Sequence, residues 1–196
     1  MSETRLEAVL RLIDAANALD PNIDSLDAGG RPEALLYGQR MSAWLEKVCP
    51  EASEPLQIAA RGQHIRRWEV PRDSYPATRE GYLKWRTYLY GFHADCVAEL
   101  MLEAGYPEPA IDRVKWLLKK RGMKTDAEVQ ILEDVICLVF LENYFADFAA
   151  KQDGEKLLNI VRKTWAKMSE RGHAFALQLP FPKSIHDVLT QALAGA

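Results

Sequence analysis

Apolar positions recur along this chain at spacings of three and four, and no stretch alternates convincingly with period two. Leu6, Val9, Leu10 and Ile13 follow a capping box at Thr4-Arg5-Leu6-Glu7, which predicts a first helix ending near Asp20-Pro21-Asn22. Pro32-Glu33 opens a second helix through Leu36, Met41, Trp44, Leu45 and Val48, and Pro50 closes it. Ser53-Glu54-Pro55 has the order of an N-cap with proline in the first turn, and it starts a third helix carrying Ala59 to Trp68. The loop from Val70 to Pro76 is then fixed by two prolines. A long helix from Arg79 to Ala104 places Tyr82, Trp85, Leu89, Cys96, Val97 and Leu100 on its apolar side, with His93 among them. A shorter helix covers Pro109 to Lys120, and another runs from Glu155 to Arg171. Pro180-Phe181-Pro182 reads as extended, and Ser184-Ile185-His186-Asp187 caps a last short helix through Leu189 and Leu193. The fold class expected is all-α: one domain over residues 1–196, a helical bundle of about eight helices.

The stretch Ile131 to Glu142 departs from the amphipathic pattern, because it is apolar on every side, as a helix enclosed by its neighbours is. Asp126-Ala127-Glu128 supplies a cap and N-terminal negative charge, which favours helix over strand. Two adjacent carboxylates, Glu133 and Asp134, nevertheless sit near its start, with Glu142 at its end. An unpaired carboxylate in such surroundings costs several kcal/mol, so a cationic partner or a metal is expected.

Composition narrows the classes. Nearly half the residues, 48%, are hydrophobic, which suits a globular chain with a sizeable core. The formal net charge of −3 argues against a globally basic nucleic-acid binder, leaving a local basic patch as the less favoured route to nucleic acid. Met1-Ser2-Glu3-Thr4-Arg5 lacks the basic-then-apolar order of a signal peptide, and no apolar run reaches the roughly 20 residues that span a bilayer. Cys49, Cys96 and Cys137 are few, distant and set in apolar contexts, and they read as reduced core residues. A cytoplasmic protein with no membrane partner is the expectation. The tryptophans leave room for an apolar dimer surface.

Chemistry is carried by His64, His93 and the Glu133-Asp134 pair, on three separate helices. Two imidazoles and one or two carboxylates converging in a helical core would satisfy one another around a divalent metal, with Mn, Fe, Co, Ni, Zn and Mg all open. The competing reading gives each histidine a backbone carbonyl or a carboxylate, and each acid an arginine. Around them the segment from Arg61 to Arg86 interleaves Arg61, Arg66, Arg67, Arg72, Arg79, Lys84 and Arg86 with Trp68, Tyr75, Tyr82 and Trp85. Guanidinium groups bind phosphate at two points and aromatic rings stack planar groups, so a small phosphorylated ligand is the expected partner, with Arg61, Arg67, Arg72 and Arg86 as its candidate contacts. Lys119-Lys120-Arg121 reads as a solvated helix end.

The order His64, then His93 about thirty residues on, then Asp134 about forty further, resembles the HD-domain phosphohydrolase superfamily. Its members are all-helical and place a His, an adjacent His-Asp pair and a distant Asp around one or two metals. That resemblance implies a metal-dependent phosphohydrolase acting on a nucleotide or another small phosphorylated compound. His64, His93 and Asp134 would hold the metal, and Glu133 would bind metal or act as base. The chain departs from the pattern in reading His93-Ala94-Asp95, where Asp95 points about 200° away from His93 around a helix. Glu133 would then replace the missing carboxylate, or the site would hold one metal or none. The alternative is a non-enzymatic helical domain that binds an anionic ligand, RNA or a protein through the same arginine-aromatic surface.

A second resemblance covers nearly the whole chain. The segments Glu33 to Met41, Ala60 to Trp68, Gly81 to Arg86 and Leu132-Glu133-Asp134 are similar to the domain-of-unknown-function family 4202. Lys167-Met168-Ser169-Glu170-Arg171 is also similar to the lysine-rich signature loop of class I synthetases. The companion His-x-Gly-His motif and the strands are absent, and the run reads instead as the end of a basic helix.

Overall fold

The computed structural model describes residues 3–25, 27–123, 125–152, 154–181 and 183–193. Its helices are α1 (Arg5–Asn17), α2 (Glu33–Val48), α3 (Glu54–Arg61), α4 (Arg79–Glu103), α5 (Glu108–Leu118), α6 (Ala127–Asn143), α7 (Phe145–Ala149), α8 (Gly154–Trp165), α9 (Glu170–Ala176) and α10 (Lys183–Leu193). Two single 3-10 turns, Arg67–Glu69 and Arg72–Ser74, lie between α3 and α4. Among the described residues extended pairing amounts to one isolated bridge, Ile23 with Pro32. No described helix is long and apolar enough to cross a membrane. Pro182 lies outside the described residues, as do the side chains of Ser184, Ile185, Leu189 and Leu193, which were expected to cap and pack the last helix.

Local signals start the helices where the sequence predicts. Thr4 and Glu7 close a reciprocal capping box, the Ser53 hydroxyl accepts from the Leu56 amide, and Asp126 accepts from the amides of Glu128 and Val129. The eight expected helices are present, with two additions. α7 follows the buried helix as a separate piece. The segment expected to continue α8 breaks instead, and Ser169 caps α9 by accepting from the Gly172 amide.

The largest departure is at the third helix, expected to run to Trp68 but ending at Arg61. Gly62 lies so close to α4 that a Cβ there would sit 2.4 Å from Val97 Cγ2. Four residues later Arg66 adopts a left-handed backbone, φ 51°, and its amide donates to Asn17 Oδ1. Non-glycine residues occupy that region at a cost, which tertiary contacts must offset. The unwinding also frees the Ile65 carbonyl, which a continuing helix would use in its own ladder, and His93 donates to it instead.

The core forms where α2, α3 and α5 pack on α6, with α4 laid along α5 and α1 across α3 and α4. On α4 the buried line Gly81, Trp85, Leu89, His93, Val97 and Met101 keeps a strict spacing of four. Tyr82, Arg86 and Tyr90 form the adjacent line, and Arg86 donates to the Tyr90 hydroxyl at 2.6 Å. Tyr82 itself, expected in the core, is 42% exposed. Cys96 and Cys137 are buried and Cys49 half-buried, all three as free thiols.

Candidate functional site

A cavity of about 880 Å³ opens between α2, the turns after α3 and the first half of α4. Its walls carry Tyr37, His64, Arg67, Arg72, Tyr82, Trp85 and Arg86, and Glu33 and Asp20 also line it. Behind it, sharing His64, Arg67 and Arg86, lies a chamber of about 130 Å³ that is also lined by Gln63, His93 and Lys120. A third hollow of about 340 Å³ begins on the far side of Arg86 and Lys120 and is bordered by Glu133, Lys119 and Lys167.

The rim of the large cavity is fastened to α4. Trp85 Nε1 donates to the Val70 carbonyl at 2.9 Å, and Arg72 donates to the carbonyls of Tyr75 and Pro76. Gly81 sits where a Cβ would meet the Pro76 carbonyl at 2.2 Å, so α4 can receive the loop only with glycine there. Arg72 therefore lines the cavity with its guanidinium partly engaged in holding the loop.

Arg67 is different. Its guanidinium lies over the Trp85 ring, 4.6 Å from the centroid, and among the described residues it has no carboxylate partner. Burial pulls its pKa down from the usual guanidinium value, and neighbouring Arg86 works in the same sense. A guanidinium nevertheless stays protonated, so the cavity keeps a positive charge that no carboxylate among the described residues pairs with directly, although Glu33 in the same cavity lies within its electrostatic reach.

The two histidines meet here. His64 stacks on Tyr37 with centroids 3.7 Å apart, and its ring stands 6.0 Å from that of His93. His93 is 2% exposed, and its Nδ1 contacts the Ile65 carbonyl at 2.8 Å. A carbonyl can only accept, so Nδ1 carries the hydrogen and Nε2 is a bare lone pair. Among the described residues that Nε2 has no partner, and neither has Oε1 of Gln63, which lines the same chamber. Burial drives the His93 pKa down to about 3, Arg67 adding to the effect, and burial likewise holds His64 well below its ordinary value. Both rings are neutral at physiological pH.

The acids of the buried helix find separate partners. Glu133, 3% exposed, takes an ion pair from Lys120 and a weaker one from Lys167 at 3.7 Å. Burial works to raise its pKa, but the two lysines outweigh this and leave it lowered. Asp134, 1% exposed, turns the other way, towards the start of α9. It accepts from the Ser169 amide at 2.8 Å, from the Ser169 hydroxyl and from Gln130 Nε2 at 3.1 Å. Glu142 accepts from Trp44 Nε1.

The structure thus brings His64, His93, Arg67 and Arg86 to one chamber, leaves Glu133 outside its lining and paired with Lys120, and turns Asp134 away. Arg61 is clasped by Asp14 at 2.6 Å and lines none of the three hollows. Asp95 pairs with Lys115. Among the described residues no three His, Cys, Asp or Glu side chains converge as a metal site requires.

Lys120 was expected to face solvent, yet its side chain is only 12% exposed. It is the residue past the C-cap of α5, at φ 52°, in a closing motif where Lys120 donates to the Leu117 carbonyl and Arg121 to that of Trp116. Glycine is the usual occupant, and a lysine there carries backbone strain of order 1 kcal/mol. Its ammonium reaches both Glu133 and the face of Tyr90. The missing glycine at that helix end, with the first one only at Gly122, was the available signal in the sequence.

Comparison with known proteins adds the family and no more. No curated protein matches the chain significantly, and no solved structure does. The family model described as domain of unknown function (DUF4202) matches residues 7–189, which include every side chain of the three hollows, and the chain belongs to that family.

Proposed function

We propose that this protein binds a small phosphorylated compound in the large cavity, with the phosphoryl group against Arg67 and Arg86 and a planar portion against Tyr37, Tyr82 and Trp85. The observation that carries the reading is the cation of Arg67, largely enclosed and with no direct ion pair among the described residues. Full burial of an unpaired charge costs several kcal/mol, whereas a cation–π contact such as that with Trp85 returns about 1–2. An anion from solution would supply the rest. Glu33, whose pKa is raised by burial and by the nearby Asp20 and Asp24, offers an acceptor in the same cavity for a ligand hydroxyl or amine. A cavity of 880 Å³ falls within the range of small-molecule sites.

Arg67→Met tests this directly. Titration calorimetry against a panel of phosphorylated metabolites is expected to find a ligand that the variant binds about 30-fold more weakly, the loss of one charged hydrogen-bonding partner worth about 2 kcal/mol. The ligand-free variant should melt no lower than the wild type, because methionine retains the packing and removes the unpaired charge. Equal affinity for every ligand the wild type binds would overturn the proposal.

The second reading is the metal-dependent phosphohydrolase that the HD likeness implies. What favours it is the pair of neutral imidazoles 6.0 Å apart, one with an unused lone pair. The residues fit a metal incompletely, because Glu133 is held by lysines and Asp134 by Ser169. Bound metal measured on tag-free protein is expected to be far below one equivalent. Near-stoichiometric metal, with phosphatase activity that a chelator abolishes, would establish this second reading in place of simple binding.

A further inference from the structure

The chamber behind the large cavity holds a mismatch. Arg67, Arg86 and Lys120 make it positive, so it calls for an anion. Two other residues that line it, however, carry buried hydrogen-bond acceptors with no donor among the described residues: His93 Nε2 and Gln63 Oε1. An acceptor facing a fully deprotonated oxyanion sets lone pair against lone pair. Leaving a buried acceptor unsatisfied costs about as much as losing a hydrogen bond. A single ligand meets both demands when it is an anion that itself carries a hydrogen.

Resting on the binding reading above, we infer that the chamber selects a phosphoryl group bearing a P–OH, which donates to His93 Nε2 while its remaining oxygens accept from Arg67 and Arg86. His93 is then the specificity-determining residue. Its tautomer is fixed by the Ile65 carbonyl, so Nε2 can accept and, while neutral, cannot donate. The other ionisable groups around it leave this arrangement in place. His64 is itself neutral, the Lys120 charge is shared with Glu133, and Arg67 disfavours a proton on the ring. The chamber volume of 130 Å³ compares with about 30 Å³ for one water in the liquid, leaving room for a tetrahedral oxyanion. The same chemistry is offered by inorganic phosphate and by the monoanion of a phosphate monoester. Sulfate has the shape and the charge but no hydrogen.

The test is a comparison of inorganic phosphate with sulfate, and of phenyl phosphate with phenyl sulfate, by calorimetry at pH 6 and matched ionic strength. At least tenfold tighter binding of each phosphate than of its sulfate is expected, and Arg67→Met should weaken the phosphates. Tighter binding of phenyl phosphate than of inorganic phosphate assigns the site to monoesters; the reverse assigns it to the free ion. His93→Gln can present a donor as well as an acceptor, so it should bring the preference close to unity by improving sulfate. Should that variant fold poorly, nitrogen NMR of the wild-type protein supplies the second measurement: phosphate should shift the His93 Nε2 resonance and sulfate should not. Equal, Arg67-dependent binding of phosphate and sulfate overturns the selectivity while leaving the anion site standing. Absence of Arg67-dependent binding of any anion overturns both.

Discussion

Asp134→Ala is expected to lower the stability of the ligand-free protein by about 4 kcal/mol, or a fall of about 10 °C in melting temperature for a chain of this length. The substitution leaves the Ser169 amide and hydroxyl without their acceptor and removes the anchor of the turn between α8 and α9. The contact is tight on both sides, since a Cβ at Gly172 would come within 2.8 Å of Asp134 Oδ1. A carboxylate that existed only to bind metal would behave oppositely, its removal leaving the metal-free fold unchanged or firmer. Urea unfolding of the wild type and the variant, both dialysed against chelator, separates the two. A difference below about 1 kcal/mol would show that Asp134 is not the structural anchor described.

Acid is expected to destabilise the protein as soon as the pH falls below 6.5. His93 has a pKa of about 3 in the folded state against 6.5 for a free histidine. Between those values the unfolded chain binds a proton that the native ring refuses, so stability rises with pH and is lost as pH falls below 6.5. The slope is about 1.4 kcal/mol per pH unit, giving a loss of about 2 kcal/mol from His93 between pH 7 and 5. His64, also lowered by burial, acts in the same direction. Glu133 joins them only in stronger acid. Its lowered pKa contributes stability that is present above 4.5 and disappears as pH drops through the folded value. Urea titrations at pH 7 and 5 in phosphate-free buffer should show the wild type losing about 2 kcal/mol more than His93→Gln, and parallel losses would refute the assignment of a buried neutral ring.

Helix starts were legible in the sequence because caps are local. Thr4, Ser53 and Asp126 each bond to an amide within three residues, and nothing distant alters them. The end of α3 was not legible, since it depends on Val97 pressing against Gly62, on Asn17 receiving the Arg66 amide and on His93 claiming the Ile65 carbonyl. The acids of α6 illustrate the same division. Their position in an apolar helix required partners, but the partners come from Lys120 and Ser169, in segments that read by themselves as a solvated helix end and the tail of a basic helix. Arginines could be ranked only by proximity along the chain. Arg61 was given a ligand role through its nearness to His64, yet α1 delivers Asp14 to it. Arg67 was one of several, and what distinguishes it is that no carboxylate among the described residues pairs with it directly.

The fastening of the cavity rim bears on kinetics. With Val70 tied to Trp85, and Arg72 closing on the carbonyls of Tyr75 and Pro76, the loop that would otherwise act as a lid is already in its final place. A ligand entering such a preformed site loses its own freedom but need not order the protein, so little of the interaction energy goes to conformational work. Capture should then be governed by diffusion and by the pull of Arg67 and Arg86 on an approaching anion. Differences among ligands would appear in how long each stays.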